Sequence, residues 1–228
     1  MKRKNQSTFD YASKYYTSTP EKNLGKGIAI RVKKVLKHVG RGNKILDVGC
    51  YDGYFGKQFG CNNNDVTGID ASMVSVKIAQ KRGVNAIVGN LEEPLPFKSE
   101  AFDCVFAGEI IEHILDTNSF LVEIHRVLKQ KGNFIITTPN VASLARRIML
   151  LLGLNPYFET SFNHPSPNAG HVRYYTKNSL KSLLEHHGFD VISFESDILN
   201  ITEKIGSTWL ADLFPTLGRG LIFKCIKR

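Results

Sequence analysis

The stretch Lys44-Ile-Leu-Asp-Val-Gly-Cys-Tyr-Asp-Gly-Tyr-Phe-Gly-Lys-Gln-Phe59 admits few folds. Ile45, Leu46 and Val48 form a short apolar run, as a strand buried on both faces requires. Gly49 follows at once, then Gly53, then Phe55 and Phe59 at helical spacing. Strand, glycine turn and helix in that order make half of a βα unit, and chains of such units build parallel sheets flanked by helices. A glycine leaving the strand permits a tight turn and close backbone approach by a ligand. The helix start adds backbone N–H groups that point out of the turn. Asp47 at the strand end and Asp52 before Gly53 bring carboxylates to the same place. They oppose a pyrophosphate and suit a ligand bearing an ammonium and a sulfonium.

The rest of the chain extends this pattern. Asp65-Val-Thr-Gly-Ile-Asp70 reads as a second strand, and Asp70 ends it roughly twenty residues past the first glycine, where a ribose-binding carboxylate belongs. The alternative for Asp70 is a helix N-cap, since Met73 to Arg82 is a helix candidate and Ser72 is also available. Ala86 to Asn90 reads as a third strand and Phe102 to Ala107 as a fourth, with Asp103 at its start and therefore structural. Asn118 to Leu128 repeats apolar residues at helical spacing, and Asn133 to Thr138 is a fifth strand. Asn178 to His187, Phe189 to Glu195 and Leu221 to Ile226 read as helix, strand and terminal strand. Ahead of the first strand, Ile28, Val32, Val35, Leu36 and Val39 mark an amphipathic helix.

Asp47-Val-Gly49-Cys50-Tyr51-Asp-Gly53 resembles the first motif of the class I S-adenosylmethionine-dependent methyltransferases, with Tyr51 where the family commonly has its middle glycine. Pro94-Leu-Pro-Phe97, Glu112-His113-Ile114, Arg126-Val-Leu-Lys-Gln-Lys-Gly132 and Gly170-His-Val-Arg-Tyr-Tyr-Thr176 are similar to segments of the quinone-biosynthesis-like members. The likeness runs from about Phe9 to Ser196. It implies a three-layer Rossmann-like sheet of about seven strands, mostly parallel, with an antiparallel C-terminal strand beside the fifth and helices on both faces. It also implies S-adenosylmethionine as cofactor, S-adenosylhomocysteine as product and a small-molecule acceptor. The residues it places at the cofactor are Asp47, Gly49, Cys50, Tyr51, Gly53, Asp70, Ala71, Asn90, Leu91 and Gly108. Within that set, Ala71 lies beside the adenine, and Asn90 with Leu91 meets its amino group.

A hydroxyl acceptor calls for a base, and histidine is the apt residue. His171 is the first candidate, followed by His113 and His164; each is equally readable as a loop anchor. Glu109 and His113 are four apart and share a face if that stretch is helical. A carboxylate acceptor would need no base. The chain lacks the Asn/Asp-Pro-Pro-Tyr/Phe motif of base-modifying amino-methylating enzymes.

Length and composition bound the remaining choices. The 228 residues suit one domain with a sizeable core, 42% of them hydrophobic. Residues 1–25 form an arm or lid rich in aromatics, with a short helix at Asp10 to Tyr16, and 141–175 and 199–218 are acceptor-side insertions. The net charge of +9 and pI near 9.4 invite nucleic acid or an anionic membrane. The basic residues are diffuse apart from Lys2-Arg3-Lys4, which disfavours nucleic acid. Val141 to Leu154 joins Arg146-Arg147 to an apolar run too short to span a bilayer; it suits a membrane surface, a greasy pocket, a core helix or a homodimer contact. Cys50, Cys61, Cys104 and Cys225 show no disulfide or metal spacing, and no metal site is read; a cytoplasmic setting follows. The expected function is methyl transfer to a small, partly apolar acceptor, most simply O-methylation. The alternatives are an RNA methyltransferase, a dinucleotide-dependent oxidoreductase and a cofactor-binding protein without catalysis.

Overall fold

The structure, a computed structural model, describes residues 26–156, 171–200 and 205–228. The N-terminal arm and His164 lie outside the described residues. Nine strands alternate with helices: α1 (Lys26–Val39), β1 (Lys44–Val48), α2 (Tyr54–Gly60), β2 (Asp65–Asp70), α3 (Met73–Lys81), β3 (Asn85–Val88) and β4 (Phe102–Gly108) come first. Then follow α4 (Thr117–Val127), β5 (Leu128–Pro139), α5 (Leu144–Leu151), α6 (Lys177–His186), β6 (Phe189–Glu195), β7 (Leu199–Asn200), β8 (Gly206–Ser207), α7 (Thr208–Leu213) and β9 (Gly220–Lys227).

Seven strands form one sheet in the order β3-β2-β1-β4-β5-β9-β6. β1 pairs in parallel with β2 and β4, and β4 with β5. β9 runs antiparallel between β5 and β6, so six strands share a direction and the last opposes them. This is the sheet that the sequence leads one to expect. β7 and β8 form a separate ribbon.

Side-chain alternation divides the core into two layers. Ile45, Cys104, Phe106 and Ile135 face one way and pack with Val35 and Val39 of α1, Phe59 of α2 and Ala79 of α3. Leu46, Val48, Val105 and Phe134 face the other way and pack with Phe120, Leu121 and Ile124 of α4 and Leu180 and Leu184 of α6. Asp47 falls on the first face, beneath α2. Ser72 caps α3 by accepting the Ser75 N–H, and Asp116 and Thr176 cap α4 and α6. Asp103 is structural, as its position suggests: it accepts the Lys44 N–H at 2.9 Å and pairs with Lys129 at 2.6 Å.

Two local features differ from expectation. β5 begins at Leu128, not after Gly132: Leu128 pairs with Phe102, the chain bulges through a left-handed Lys131 (φ 60°), and pairing resumes at Asn133. Residues 109–113 are not a helix. Glu109 is left-handed (φ 54°), and only Ile111–His113 makes a single 3-10 turn. Glu109 and His113 therefore do not share a helical face, and they engage different partners.

Candidate functional site

The carboxyl ends of β1, β2, β3 and β4 lie side by side at one edge of the sheet. Open α/β sheets bind ligands at that edge. Gly49, Tyr51, Asp70, Ala71, Asn90, Gly108 and Glu109 are all half-buried there, accessible from solvent yet held by the fold.

The turn after β1 makes three left-handed steps, at Gly49 (φ 73°), Tyr51 (φ 48°) and Gly53 (φ 75°). An aromatic residue is unusual in that region. Here the Tyr51 N–H donates to Asp70 Oδ2 at 2.8 Å, which ties the turn to the end of β2. Gly49 and Cys50 reinforce the tie by donating to the Ile69 carbonyl at 2.8 and 3.1 Å. The glycines serve packing as well as turning. A Cβ on Gly49 would lie 2.9 Å from the Ile110 side chain, and one on Gly53 would lie 2.7 Å from Ala79. Gly108 is similarly confined, by the Phe106 ring.

The N–H groups at the start of α2 are not left open for a ligand, as the sequence suggests. Tyr54 donates to Asp52 Oδ1 at 3.2 Å, and Gly56 donates to Asp47. Asp52 in turn pairs with Arg82 at 2.7 Å and is buried. Its charge is spent on structure, whereas among the described residues no cation pairs with Asp47 or Asp70. Asp47 is 2% exposed, and its Oδ2 is buried with no hydrogen-bond partner. Burial, and then the nearby Asp70, push its carboxyl up to about 8. Burial also raises Asp70, although its two oxygens accept the Ser72 and Tyr51 N–H groups at 2.8 Å each. Asp70 is not the N-cap of α3; Ser72 is. Cys50 is buried and its thiol is raised first by burial, so it stays protonated.

Asn90 folds onto its own turn. Its side-chain oxygen accepts the Glu92 N–H at 3.0 Å, and its amide donates to Glu93 at 3.2 Å. Leu91 is buried in the core layer under α4. The Pro94–Phe97 turn is clamped from behind by Arg126, which donates to the Leu95 and Phe97 carbonyls and pairs with Glu123.

Beyond β4 lies a second cluster. Glu112 is buried; its Oε2 accepts the Thr138 hydroxyl at 2.9 Å and its Oε1 has no partner. Burial, reinforced by Glu109, raises its carboxyl well above the usual range. The Glu112 carbonyl accepts the Val172 N–H at 2.8 Å, which hangs the 171–173 segment over the 3-10 turn. His171 thereby meets His113 edge to face, with ring centroids 4.7 Å apart. Ligand atoms of Glu112, His113 and His171 all lie within 4.8 Å of one another. A carboxylate with two imidazoles can move a proton or hold a divalent cation. Sequence spacing hides this trio, because His171 comes from a segment 58 residues past His113. Of the three histidine candidates, the structure brings these two together.

Glu109 points elsewhere. Its Oε1 accepts the Thr137 hydroxyl at 3.0 Å and its Oε2 pairs with Arg31 at 2.9 Å. Arg31, on α1, also pairs with the buried Asp197 at 3.0 Å. This arginine is missed by sequence reading, where it counts as one more solvated residue of an amphipathic helix.

Strand order, a carboxylate at the end of each of the first two strands and a polar cluster past the fourth are the features of a nucleoside-binding α/β domain with a second polar locus. The chain belongs to the class I S-adenosylmethionine-dependent methyltransferases: the methyltransferase-domain family matches it over residues 21–194. It is 31% identical over 170 residues to the mitochondrial ubiquinone biosynthesis O-methyltransferase of Rattus norvegicus, covering 70% of this chain and 48% of that protein. It is 30% identical over 199 residues to a probable S-adenosylmethionine-dependent methyltransferase of Mycolicibacterium smegmatis, covering 85% and 67%. A solved methyltransferase of Thermotoga maritima, described as a possible histamine N-methyltransferase, superposes with a TM-score of 0.64 at 20% identity, covering 88% of this chain and 92% of that one. At that identity the likeness concerns the fold alone. The chain spans about half the length of the ubiquinone-biosynthesis relatives it matches.

The family's cofactor is S-adenosylmethionine, and the edge suits it. Asp47 brings a buried Oδ2 without a hydrogen-bond partner to that edge, and Asp70 a half-buried carboxyl.

Proposed function

We propose that this protein transfers the methyl group of S-adenosylmethionine to an oxygen of a small, partly apolar acceptor. The observation that carries the reading is the pair of loci at one sheet edge: a carboxylate-lined end beside β1 and β2, and the Glu112–His113–His171 cluster beyond β4. In this reading the turn from Gly49 to Gly53 and Asp47 receive the amino-acid arm. Asp70 accepts the ribose hydroxyls, while Ala71, Asn90 and Leu91 flank the adenine. S-adenosylmethionine supplies an already activated methyl group, so the protein's work is positioning, worth about 7–11 kcal/mol. His171 accepts the acceptor's hydroxyl proton, and His113 orients it. Relatives named as O-methyltransferases at 31% identity support oxygen as the target.

The apolar character of the acceptor rests on the surface of the two inserts. α5 buries none of its residues, and Leu151 is 86% exposed. We infer that this helix rests on a lipid surface.

The deciding experiment is a tritiated-methyl transfer screen over small hydroxylated, carboxylated and amine acceptors. Transfer to hydroxylated acceptors, lost in His171→Ala, supports the reading. Transfer confined to amines, or to RNA, overturns it.

A further inference from the structure

Asp47 combines three properties that ordinary structural carboxylates do not share. It is almost wholly buried, it has one oxygen without a partner, and the charged group that acts on it most strongly among the described residues is another carboxylate, Asp70. The groups that face it can be enumerated. From β2 comes Asp70, whose oxygens are committed to the Tyr51 and Ser72 amides. From the turn come the Cys50 thiol and Asp52, the latter neutralised by Arg82 at the end of α3. From α2 comes one N–H donor, that of Gly56. From β4 its register partner is Phe106, which is uncharged. Asp47 thus has one N–H donor from α2 against two neighbouring carboxylates, and among the described residues no ammonium or guanidinium is paired with it. A buried carboxylate in such a place is costly, and taking up a proton removes the cost. A cation bound nearby would reverse the balance, because an opposite charge within about 4–6 Å favours the ionised form by one to three pH units.

We propose that Asp47 is a neutral acid in the cofactor-free protein and gives up its proton when the ammonium of the cofactor's amino-acid arm binds, so that cofactor binding releases a proton to solvent. This rests on the assignment of the amino-acid arm to the Asp47 end of the edge. The balance is simple. The Asp47 O–H bond breaks, its proton passes to bulk water, and the carboxylate left behind pairs with the ammonium. Asp47 thereby discriminates among nucleosides. One without the amino-acid arm leaves Asp47 protonated and gains nothing from it.

Isothermal calorimetry with S-adenosylhomocysteine at pH 7, in two buffers of widely different ionisation enthalpy, tests this on the wild-type chain. The heats should differ by the equivalent of about 0.4 to 0.9 proton released, as a lowering of one to three pH units from about 8 requires. 5′-Methylthioadenosine, which lacks the ammonium, should give equal heats in both buffers. Affinity for S-adenosylhomocysteine should rise by about twofold to tenfold from pH 6 to 7 and level off above about 8. Asp47→Asn should abolish both the release and the pH slope. Equal heats with intact binding overturn the proposal. So does a release that survives Asp47→Asn and disappears in Asp70→Asn, which would assign the proton to Asp70. Absence of binding by either nucleoside would instead strike the cofactor reading itself.

Discussion

At the scale of single residues, the two buried carboxyl groups make opposite demands on function and stability. Burial raises the carboxyls of both Asp47 and Glu112, whereas the unfolded chain ionises them in the ordinary carboxyl range. The native state therefore binds more protons than the unfolded one, and this contribution to stability falls as pH rises. For Asp47 the fall runs from about pH 4 to about pH 8, by up to about 1.4 kcal/mol per pH unit. Asp47→Asn should therefore gain on the wild type in thermal midpoint as pH increases across that window, as read by thermal melts in matched buffers. A constant gap would mean that Asp47 is already ionised when free. Asp70→Ala should weaken S-adenosylhomocysteine binding at least about tenfold, or about 1.4 kcal/mol; unchanged affinity would remove the ribose assignment. His171→Ala should lower turnover by about 10²–10⁴-fold while cofactor affinity stays intact.

Residues in one contiguous stretch were the ones legible in the sequence. Asp47, Gly49 and Gly53 sit within seven positions, and the geometry of a strand, turn and helix follows from their order alone. The same reading failed where the partner is remote. It left the α2 amides open because nothing local shows that Asp47 and Asp52 fold back to accept them. It left open whether Glu109 and His113 share a helical face, because a left-handed Glu109 has no signature in residue type.

At the scale of elements, α1 shows what such long-range pairing achieves. Its apolar stripe is visible in the sequence, but Arg31, Lys34 and His38 form a second buried stripe at helical spacing. Arg31 joins Glu109 to Asp197, Lys34 donates to the Ser196 carbonyl at 2.6 Å and pairs with Asp212, and His38 meets Glu195 at 2.7 Å. One helix thus latches the end of β6, the end of α7 and the loop after β4. Burial would raise the Asp197 carboxyl, but the guanidiniums of Arg31 and Arg219 outweigh it and hold it below the usual range. Removing Arg31 leaves that buried charge two backbone N–H donors, from Ile198 and Gly220, and among the described residues only the longer ion pair with Arg219, 3.4 Å. Arg31→Met should cost about 3–5 kcal/mol of stability, measured by urea unfolding. Arg31→Lys should recover part of that loss, since it keeps the charge without the fork that serves two carboxylates. A Met variant as stable as the wild type would show that the pair is not coupled to folding.

At the scale of the whole molecule, the succession of strands and helices was expected from periodicity, because alternation in strands and 3.6-residue repeats in helices are local patterns, whereas the layered sheet and its antiparallel last strand came from the resemblance to the methyltransferases. The surface was less legible, because exposure depends on which elements meet. More than half of the large apolar side chains exposed among the described residues lie in 148–154 and 205–214. These segments are remote in sequence, but α5 and α7 both pack on β7. β7 follows β6, which runs parallel with β5, so the face opens at the same edge as the candidate site. Trp209 is 68% exposed there, and an exposed aromatic beside leucines suits the interface between headgroups and acyl chains. Arg146 and Arg147 are turned back toward the preceding loop, donating to the Asn140 and Ala142 carbonyls at 3.2 and 2.6 Å. The apolar contacts should therefore matter more than these two charges. In flotation with vesicles containing anionic lipid, the wild type should rise with the vesicles, Leu151→Glu and Trp209→Glu should remain below, and the Arg146→Gln/Arg147→Gln double variant should be reduced only in part. If the face instead joins two copies of the chain, sedimentation will show a dimer that Leu151→Glu dissociates, and flotation will be absent with every variant.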